Sequence, residues 1–316
     1  MYKKVVVFGG GTGISQLLKG LKDFPIDITA VITVSDNGQS TGKLREEFHT
    51  PAVGDIRKVI ISLSPIDEPI KKMLAYRFNT DSDLNGHPVG NLILTSMFNI
   101  TGSLKESIEC LSKLLDVRHK ILPLSEDCDL ILMGKDAEGN IIEGEEQITK
   151  CPNIINKIFY KREPVVLPEV ITTIKEADLI IFSIGSLYTS ILPNIICTKV
   201  KEALEKANAP IMYVCNAVTQ PGETDNFTVG DHIKMVNSYL PNRKIDVVIA
   251  SNTSVPQEVA EKYSTEEQKD PVMIDYDEIE KMGVELLEDD LIMIEDKKLR
   301  HNSLKLSSVI FSYLMR

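Results

Sequence analysis

The run VVVFGGGTG at residues 5–13 sets the class of fold that this chain adopts. Three valines and a phenylalanine ahead of glycine predict a buried strand, because β-branched side chains suit a sheet covered on both faces. Apolar residues then recur at Ile14, Leu17, Leu18 and Leu21, which lie on one face of a helix. A second apolar run, residues 28–34, completes a strand–helix–strand unit. Such units build parallel sheets, so the sequence predicts a Rossmann-like α/β fold, mostly parallel, with helices on both faces.

The alternation of strands and helices continues along the chain. Helical patterns cover 43–48, 56–63, 69–78, 89–99, 104–115, 170–175, 191–206, 229–240, 279–287 and 304–314. Later strands are predicted at 179–182, 211–215, 245–250, 272–274 and 291–294. Residues 117–165 differ, because they contain a hairpin pattern around DAEGN and predict a β-rich insertion or flap. No linker divides the chain, so we predict a single domain over residues 1–316 that contains this insertion.

The composition excludes some classes of function. The chain has 316 residues, 35 Lys and Arg against 46 Asp and Glu, and a formal net charge of −11. Such a chain repels polyanions, so we expect no nucleic acid partner. The most apolar long stretch, 179–197, is interrupted by polar residues and proline, so we expect no membrane insertion. The first residues lack a signal-peptide pattern and the five cysteines lack metal-site spacing, which favours a cytoplasmic protein with reduced thiols.

Polar segments follow several predicted strands, where parallel sheets bind their ligands. The first is the glycine turn, which consists of Gly10, Gly11, Thr12 and Gly13. Without Cβ atoms its main-chain N–H groups can approach a phosphate closely, and the helix that follows adds partial positive charge. The spacing matches neither the dinucleotide motif G-x-G-x-x-G nor a phosphate loop ending in G-K-[ST]. We predict a phosphate or pyrophosphate site here, with a merely tight turn as the alternative.

Asp36 and Asn37 follow the second predicted strand. Asp36 lies 23 residues beyond Gly13, near the spacing at which an acidic residue contacts a ribose hydroxyl. Its carboxylate is equally suited to Mg²⁺ beside phosphates. A turn or a helix cap is the structural alternative, because Asp and Asn favour both.

Three further segments carry polar groups of this kind. Gly185 and Ser186 follow the strand at 179–182 and could bind a phosphate or a sugar, or cap the next helix. A base, sugar or amide could be recognised by the polar residues after the strand ending at Cys215, namely Asn216, Thr219 and Gln220. Asn91, in the segment GHPVGN, is a candidate hydrogen-bond donor facing the same cleft.

Together these motifs resemble the CofD/YvcK-like family over nearly the whole chain. The matching segments are GGGTGISQLLKGL, TVSDNGQSTGKLR, GDIR, GHPVGNLIL, GSLYTSILPN and YVCNAVTQPGETD. The chain is more similar to the gluconeogenesis factor branch than to the 2-phospho-L-lactate transferase branch, which uses a nucleotide-activated donor and Mg²⁺. The resemblance implies a cytoplasmic bacterial protein that supports cell shape and wall synthesis during gluconeogenic growth. It also implies binding of UDP-sugars such as UDP-N-acetylglucosamine.

The resemblance also implies roles for particular residues. Tyr263 and Arg300 match positions associated with the UDP-sugar, and Ser303 falls where relatives carry a phosphorylatable Thr, which implies a regulatory kinase as a partner. Ser183-Ile184-Gly185 replaces the more usual Gly-Pro-Gly, and Asn37 replaces the second residue of a common Asp-Asp pair. The loss of that carboxylate weakens the prediction of a Mg²⁺ transferase.

Three hypotheses follow from the sequence. The first is a nucleotide-sugar-binding regulator that holds the pyrophosphate at the glycine turn. The second is a Mg²⁺-dependent phosphotransferase of the CofD type, with Asp36 binding the metal. The third is an NAD binder without redox chemistry. A homodimer is compatible with all three.

Overall fold

The computed structural model describes residues 2–295 and 298–316, and its main feature is a seven-stranded parallel sheet. The strands in chain order are β1 (Lys3–Gly9), β2 (Ile26–Ile32), β3 (Lys120–Pro123), β4 (Leu132–Asp136), β5 (Ile141–Glu143), β6 (Ile155–Tyr160), β7 (Leu179–Phe182), β8 (Ile211–Val214), β9 (Val247–Ser251), β10 (Glu285–Asp289), β11 (Ile292–Glu295) and β12 (Lys298–His301). The predicted Rossmann-like α/β fold is confirmed.

The order of strands in the large sheet is β10-β9-β8-β7-β1-β2-β3. From β1 the chain adds β2 and β3 on one side, and then returns to add β7 and its successors on the other. Phe8 of β1 pairs with Val31 on one side and with Phe182 on the other. The direction of winding therefore reverses between β1 and β7, and parallel sheets bind ligands outside the carboxyl ends of strands at such a reversal.

Helices cover both faces of the sheet, as the pattern of the sequence predicts. They are α1 (Gly11–Leu21), α2 (Gln39–Phe48), α3 (Gly54–Leu63), α4 (Glu68–Ala75), α5 (Val89–Thr101), α6 (Leu104–Leu114), α7 (Glu145–Thr149), α8 (Pro168–Glu176), α9 (Leu192–Ile195), α10 (Thr198–Lys206), α11 (Val229–Ser238), α12 (Gln257–Lys262), α13 (Tyr276–Met282) and α14 (Ser303–Leu314). Alternate residues of β1 enter opposite cores. Val5 and Val7 pack with α1, α3 and α14, whereas Val6 and Phe8 pack with α8, α10 and α11.

The β-rich insertion is smaller than the predicted range 117–165. The first strand within that range, β3, is the edge of the large sheet and pairs parallel with β2. The separate antiparallel sheet has the order β5-β4-β6, and the predicted hairpin joins β4 to β5. The insertion therefore begins after β3, and α7 follows its second strand.

The chain beyond residue 186 departs from the sequence prediction at several elements. The predicted strand at 272–274 is absent, and only an isolated bridge joins Val218 to Pro271. The predicted helix at 279–287 ends at Met282, because Gly283 adopts φ 68° and the chain continues into β10. The helix predicted at 191–206 is divided into a π-helical turn at Leu187–Ile191 followed by α9 and α10. In the part of the chain described here, every helix is too short or too polar to cross a lipid bilayer.

Candidate ligand-binding site

A cleft of about 370 Å³ opens at the carboxyl ends of β1 and β7, and we call it the switch-point cleft. Its walls include Gly10, Thr12, Gly13, Gly185, Ser186, Asn216, Gln220, Lys269, Leu299 and His301. Seven of these ten residues belong to the segments that the sequence analysis selected. The parallel sheet brings these segments together, although the chain separates them by about two hundred residues.

The glycine turn begins α1 inside this cleft. Gly10 is the N-cap residue and no side chain caps the helix, so the first N–H groups of α1 are not used by a cap. Gly11 has φ +65°, a backbone conformation that is strained for residues with a Cβ atom. Gly13 has another role, because a Cβ there would lie 2.1 Å from the main-chain oxygen of Ile184. Glycine is thus required both for the turn and for the close approach of two loops.

An acidic side chain approaches the outer side of this turn. A Cβ at Gly10 would lie 3.0 Å from Oδ2 of Asp55, the second residue of the segment GDIR that begins α3. Lys58 donates to Oδ1 of Asp55 over 2.9 Å and balances its charge. The sequence analysis did not assign Asp55 to the site, because its contact with Gly10 depends on how α3 packs on α1.

Asn216 fixes the loop that follows β7. Its Oδ1 accepts from the N–H of Gly185 at 3.1 Å, and its Nδ2 donates to the oxygen of Gly185 at 2.8 Å. Gly185 itself has φ +154°, which few other residues adopt. The amide of Asn216 therefore shapes the cleft by binding the backbone of Gly185. Only the hydrogen-bonding capacity that this amide has left is available for the predicted recognition of a base.

Ser186 is joined to a buried carboxyl group that the sequence analysis did not select. Its hydroxyl donates to Glu223, with distances of 2.8 and 2.6 Å to the two oxygens, and accepts from the N–H of Thr189. Glu223 is 3% exposed, and burial raises the pKa of its carboxyl group. Ser186 thus caps the π-helical turn, as the alternative prediction proposed, while also lining the cleft.

Gln220 and Thr219 are adjacent but have different environments. Oε1 of Gln220 is buried in the cleft wall and has no hydrogen-bond partner within the described residues. The hydroxyl of Thr219 instead accepts from the N–H of Asp270, and the N–H of Thr219 donates to the oxygen of Asp270. Thr219 therefore anchors the segment that carries Lys269 and does not line the cleft, which corrects its predicted role as a direct contact.

Tyr263 and Arg300 lie beside the cleft on different elements. The hydroxyl of Tyr263 accepts from the N–H of Leu299 at 2.6 Å and so holds β12 against the cleft. Leu299 and His301 line the wall, whereas Arg300 lies between them with Nε 3.6 Å from a carboxylate oxygen of Glu295. Burial lowers the pKa of His301 to about 4, so this imidazole is neutral near pH 7. His301 and Lys269 are wall residues that the sequence analysis did not assign to the site.

Asp36 and Asn91 lie in a second, neighbouring cavity of about 290 Å³. We call it the cation-lined cavity and define it by Asp36, Arg57, Lys58, Arg77, Asn91 and Glu145. Oδ1 of Asp36 accepts from the N–H of Gly38 at 2.8 Å, which is the predicted turn. Because Asp36 is not among the residues lining the switch-point cleft, the predicted ribose contact and the NAD hypothesis lose their main support.

The insertion closes this second cavity. Oδ1 of Asn37 accepts from the N–H of Glu146 at 3.0 Å, and a Cβ at Gly144 would lie 2.5 Å from Nδ2 of Asn37. Asn37 therefore joins the loop after β2 to α7. Burial, followed by the charges of Asp36 and Asp55, raises the pKa of Glu145 to about 7.

Mg²⁺ was predicted at Asp36. Within residues 2–295 and 298–316 there is no cluster of three or more His, Cys, Asp or Glu side chains suited to a metal ion. Burial and the Asp55 charge raise the pKa of Asp36, and a divalent cation would relieve that repulsion. Because Mg²⁺ often takes only one or two protein carboxylates and keeps its waters, Asp36 with Asp55 fits such an ion.

Comparison with known proteins agrees with this architecture. A parallel sheet with a polar cleft at its reversal defines the Rossmann-like class, and the chain belongs to the CofD family, whose model, described as 2-phospho-L-lactate transferase CofD, matches residues 5–292. The chain is 41% identical over 312 residues to the gluconeogenesis factor of Bacillus subtilis, covering 98% of each. It is 39% identical over 314 residues to the gluconeogenesis factor of Listeria innocua, covering 98% of this chain and 95% of that protein.

A solved structure is similar over the same length. The crystal structure of a Bacillus halodurans protein superimposes with a TM-score of 0.94 at 38% identity, covering 98% of this chain and 99% of that one. The general type of the protein, a CofD family member related to gluconeogenesis factors, is therefore established for the whole chain.

Proposed function

We propose that this protein is a cytoplasmic regulator that binds a UDP-sugar in the switch-point cleft. The bound nucleotide would report on sugar supply for cell shape and wall synthesis under gluconeogenic growth. The observation that carries the proposal is the uncapped start of α1 at the carboxyl end of β1, beside the buried, unpartnered Oε1 of Gln220. A ligand with a diphosphate and a hydrogen-bond donor satisfies both features.

The remaining walls of the cleft suit the same ligand. Lys269 lines the cleft and supplies a positive charge there. It also forms an ion pair with Glu267 at 2.8 Å. Tyr263 holds β12 in place, so its substitution would weaken binding through Leu299 and His301. Arg300, next to these residues on β12, would neutralise the diphosphate by turning from Glu295 towards the cleft.

Isothermal titration with UDP-N-acetylglucosamine tests the proposal. We expect the wild-type protein to bind and Gln220→Ala to bind at least about tenfold more weakly, because its acceptor is lost. Lys305→Ala is a matched control, since Lys305 pairs with Asp290 on the surface. No heat above buffer with the wild-type protein at millimolar ligand would contradict the proposal.

A second candidate function is a CofD-type phosphotransferase, and the paired carboxylates Asp36 and Asp55 favour it. Mg²⁺ bound there would stabilise negative charge on a transferring phosphorus group. In the free protein, Lys58 and the start of α3 orient Asp55. Turnover of a nucleotide-linked donor with a deazaflavin-type alcohol would support this function, whereas nucleotide binding without turnover favours the regulator.

A further inference from the structure

Arg57 is a buried cation, and two of its three guanidinium nitrogens have no hydrogen-bond partner among the described residues. The residue is 7% exposed, and its Nε and Nη1 are buried with no acceptor among the described residues. A guanidinium group has five N–H donors and stays charged, so burying it unpaired destabilises the protein unless something else supplies acceptors. Burial, followed by the neighbouring charge of Arg77, lowers the pKa of Arg57 to about 10, which still leaves it charged at neutral pH.

The backbone holds Arg57 in this position. A Cβ at Gly90 would lie 2.8 Å from both Cγ and Cδ of Arg57, so only glycine at the start of α5 lets the side chain pass. The side chain lines the cation-lined cavity, where Lys58 and Arg77 are its neighbours. Arg77 is exposed and donates to the main-chain oxygen of Gly86 at 2.7 Å, which leaves most of its donors available.

A groove lined by further cations leads to the same place. Arg57 and Lys58 also line this groove of about 380 Å³, together with Lys19, Lys22, Lys71 and Lys72. Burial, followed by the charge of Lys71, lowers the pKa of Lys22. The sequence as a whole carries a net charge of −11, so this concentration of positive charge is local, and it would guide anions towards Arg57.

The same cavity also offers hydrogen-bond acceptors. Asp36 and Glu145 line it, and burial raises the pKa of both carboxyl groups. The Oδ1 of Asn91 is buried and has no partner among the described residues, while its Nδ2 donates to Ser40. These carboxyl and amide groups would repel a second anion and bind hydroxyl groups instead.

We propose that the cation-lined cavity binds a second, small ligand: a phosphate monoester whose other end carries hydroxyl groups. The phosphate contacts Arg57, Arg77 and Lys58, and the hydroxyls donate to Asp36, Asn91 and Glu145. A cavity of about 290 Å³ is large enough for a hexose phosphate. This site differs from the switch-point cleft, and the inference does not require that a nucleotide binds there.

Calorimetric titration of the full-length protein in EDTA tests the inference, with glucose 6-phosphate, inorganic phosphate and glucose as separate probes. We expect glucose 6-phosphate to bind about tenfold more tightly than inorganic phosphate, and glucose to give no heat. Arg57→Gln and Arg77→Gln should each weaken glucose 6-phosphate binding by about tenfold or more. Lys269→Gln, in the wall of the other cleft, should leave it unchanged.

The melting temperature of the ligand-free variants separates binding from a structural role. If Arg57 is a ligand-binding residue that is unpaired in the free protein, Arg57→Gln should melt at the wild-type temperature or above, because an unpaired buried charge has been removed. A lower melting temperature for Arg57→Gln, with unchanged affinity in Arg77→Gln, overturns the inference. The inference is also overturned if neither glucose 6-phosphate nor inorganic phosphate binds at millimolar concentration, or if binding requires added Mg²⁺. It is overturned as well if Lys269→Gln weakens glucose 6-phosphate binding as much as Arg57→Gln does. UDP-N-acetylglucosamine titrated into the same Arg57→Gln sample tests the proposed function separately.

Discussion

Glu145 carries the carboxyl group whose ionisation should make stability depend on pH near neutrality. Its pKa is raised to about 7, first by burial and then by Asp36 and Asp55, so folding favours the protonated form. The resulting stability is fully present below the unfolded pKa of Glu, and it is lost as pH rises through 7. Glu145→Gln, which stays neutral, should therefore be more stable than wild type by about 1–3 kcal/mol at pH 8 and much less so at pH 5. Denaturant unfolding at both pH values measures the difference.

The neighbouring residue supplies the control for this prediction. Glu146 forms an ion pair with Lys150 over 2.6 Å, and partly exposed pairs of this kind contribute little to stability. Glu146→Gln should change stability equally at pH 5 and pH 8. A gain for Glu145→Gln that does not grow with pH would show that this carboxyl group ionises normally in the folded protein.

Gly13 is the residue at which the loops after β1 and β7 approach most closely. Gly13→Ala would place a Cβ 2.1 Å from the main-chain oxygen of Ile184, and backbone cannot move aside as a flexible side chain can. We expect a loss of about 1–3 kcal/mol in the free energy of unfolding, together with weaker nucleotide binding. Gly38→Ala is the comparison, since its Cβ would lie 3.4 Å from Oδ1 of Asp36. Equal stabilities for the two variants in urea would contradict this packing.

The sequence analysis predicted those residues of the cleft whose local sequence is sufficient to indicate a site. Glycines and hydroxyls just beyond apolar strands, such as Gly10 and Ser186, do line it. Arg57 belongs to the segment GDIR that the sequence analysis selected, but its burial could not be predicted, because that burial depends on the passage beside Gly90, a residue on another helix. Glu223 was hidden for the same reason, since its partner Ser186 lies 37 residues earlier in the chain.

At the scale of elements, α14 begins at Ser303, one residue before the predicted start at 304. Asn302, and not Ser303, is the N-cap, because the Asn302 side chain accepts from the N–H of Lys305 at 3.1 Å. Asn302→Ala should therefore destabilise the protein by about 1 kcal/mol, whereas Ser303→Ala should change stability by a few tenths at most. Thermal unfolding of the two variants measures this, and a larger loss for Ser303→Ala would contradict the assignment of the cap. A kinase acting at Ser303 stays a prediction.

Elements were predictable where their burial is uniform. All four residues of β7 and of β8 are buried, and an unbroken apolar run indicates such a strand directly. The strand β10 is an edge with the sequence ELLED, and its apolar residues follow those of α13 at helical spacing. Only the left-handed turn at Gly283 separates the two elements, which is why one continuous helix was predicted there.

At the scale of the whole molecule, the antiparallel insertion lines one cavity and contacts a segment that lines the other. On one side its helix α7 lines the cation-lined cavity and is held by the hydrogen bond from the Glu146 N–H to Asn37. On the other side the N–H of Ile155 donates to the oxygen of Gly222, in the segment that supplies Gln220 to the switch-point cleft. The two proposed ligand sites are thereby connected through one small sheet.

This connection predicts that a ligand in either cavity will slow hydrogen exchange within the insertion. Binding stabilises the closed arrangement relative to local opening, so the Glu146 and Ile155 amides should both become more protected with UDP-N-acetylglucosamine. Asn37→Ala removes one of the two attachments and should raise exchange at Glu146 while leaving the amides of β8 unchanged. Because coupling between sites is reciprocal, glucose 6-phosphate should protect the same two amides. Protection confined to the cavity that is filled would mean that the insertion is a rigid wall and that the two cavities act independently.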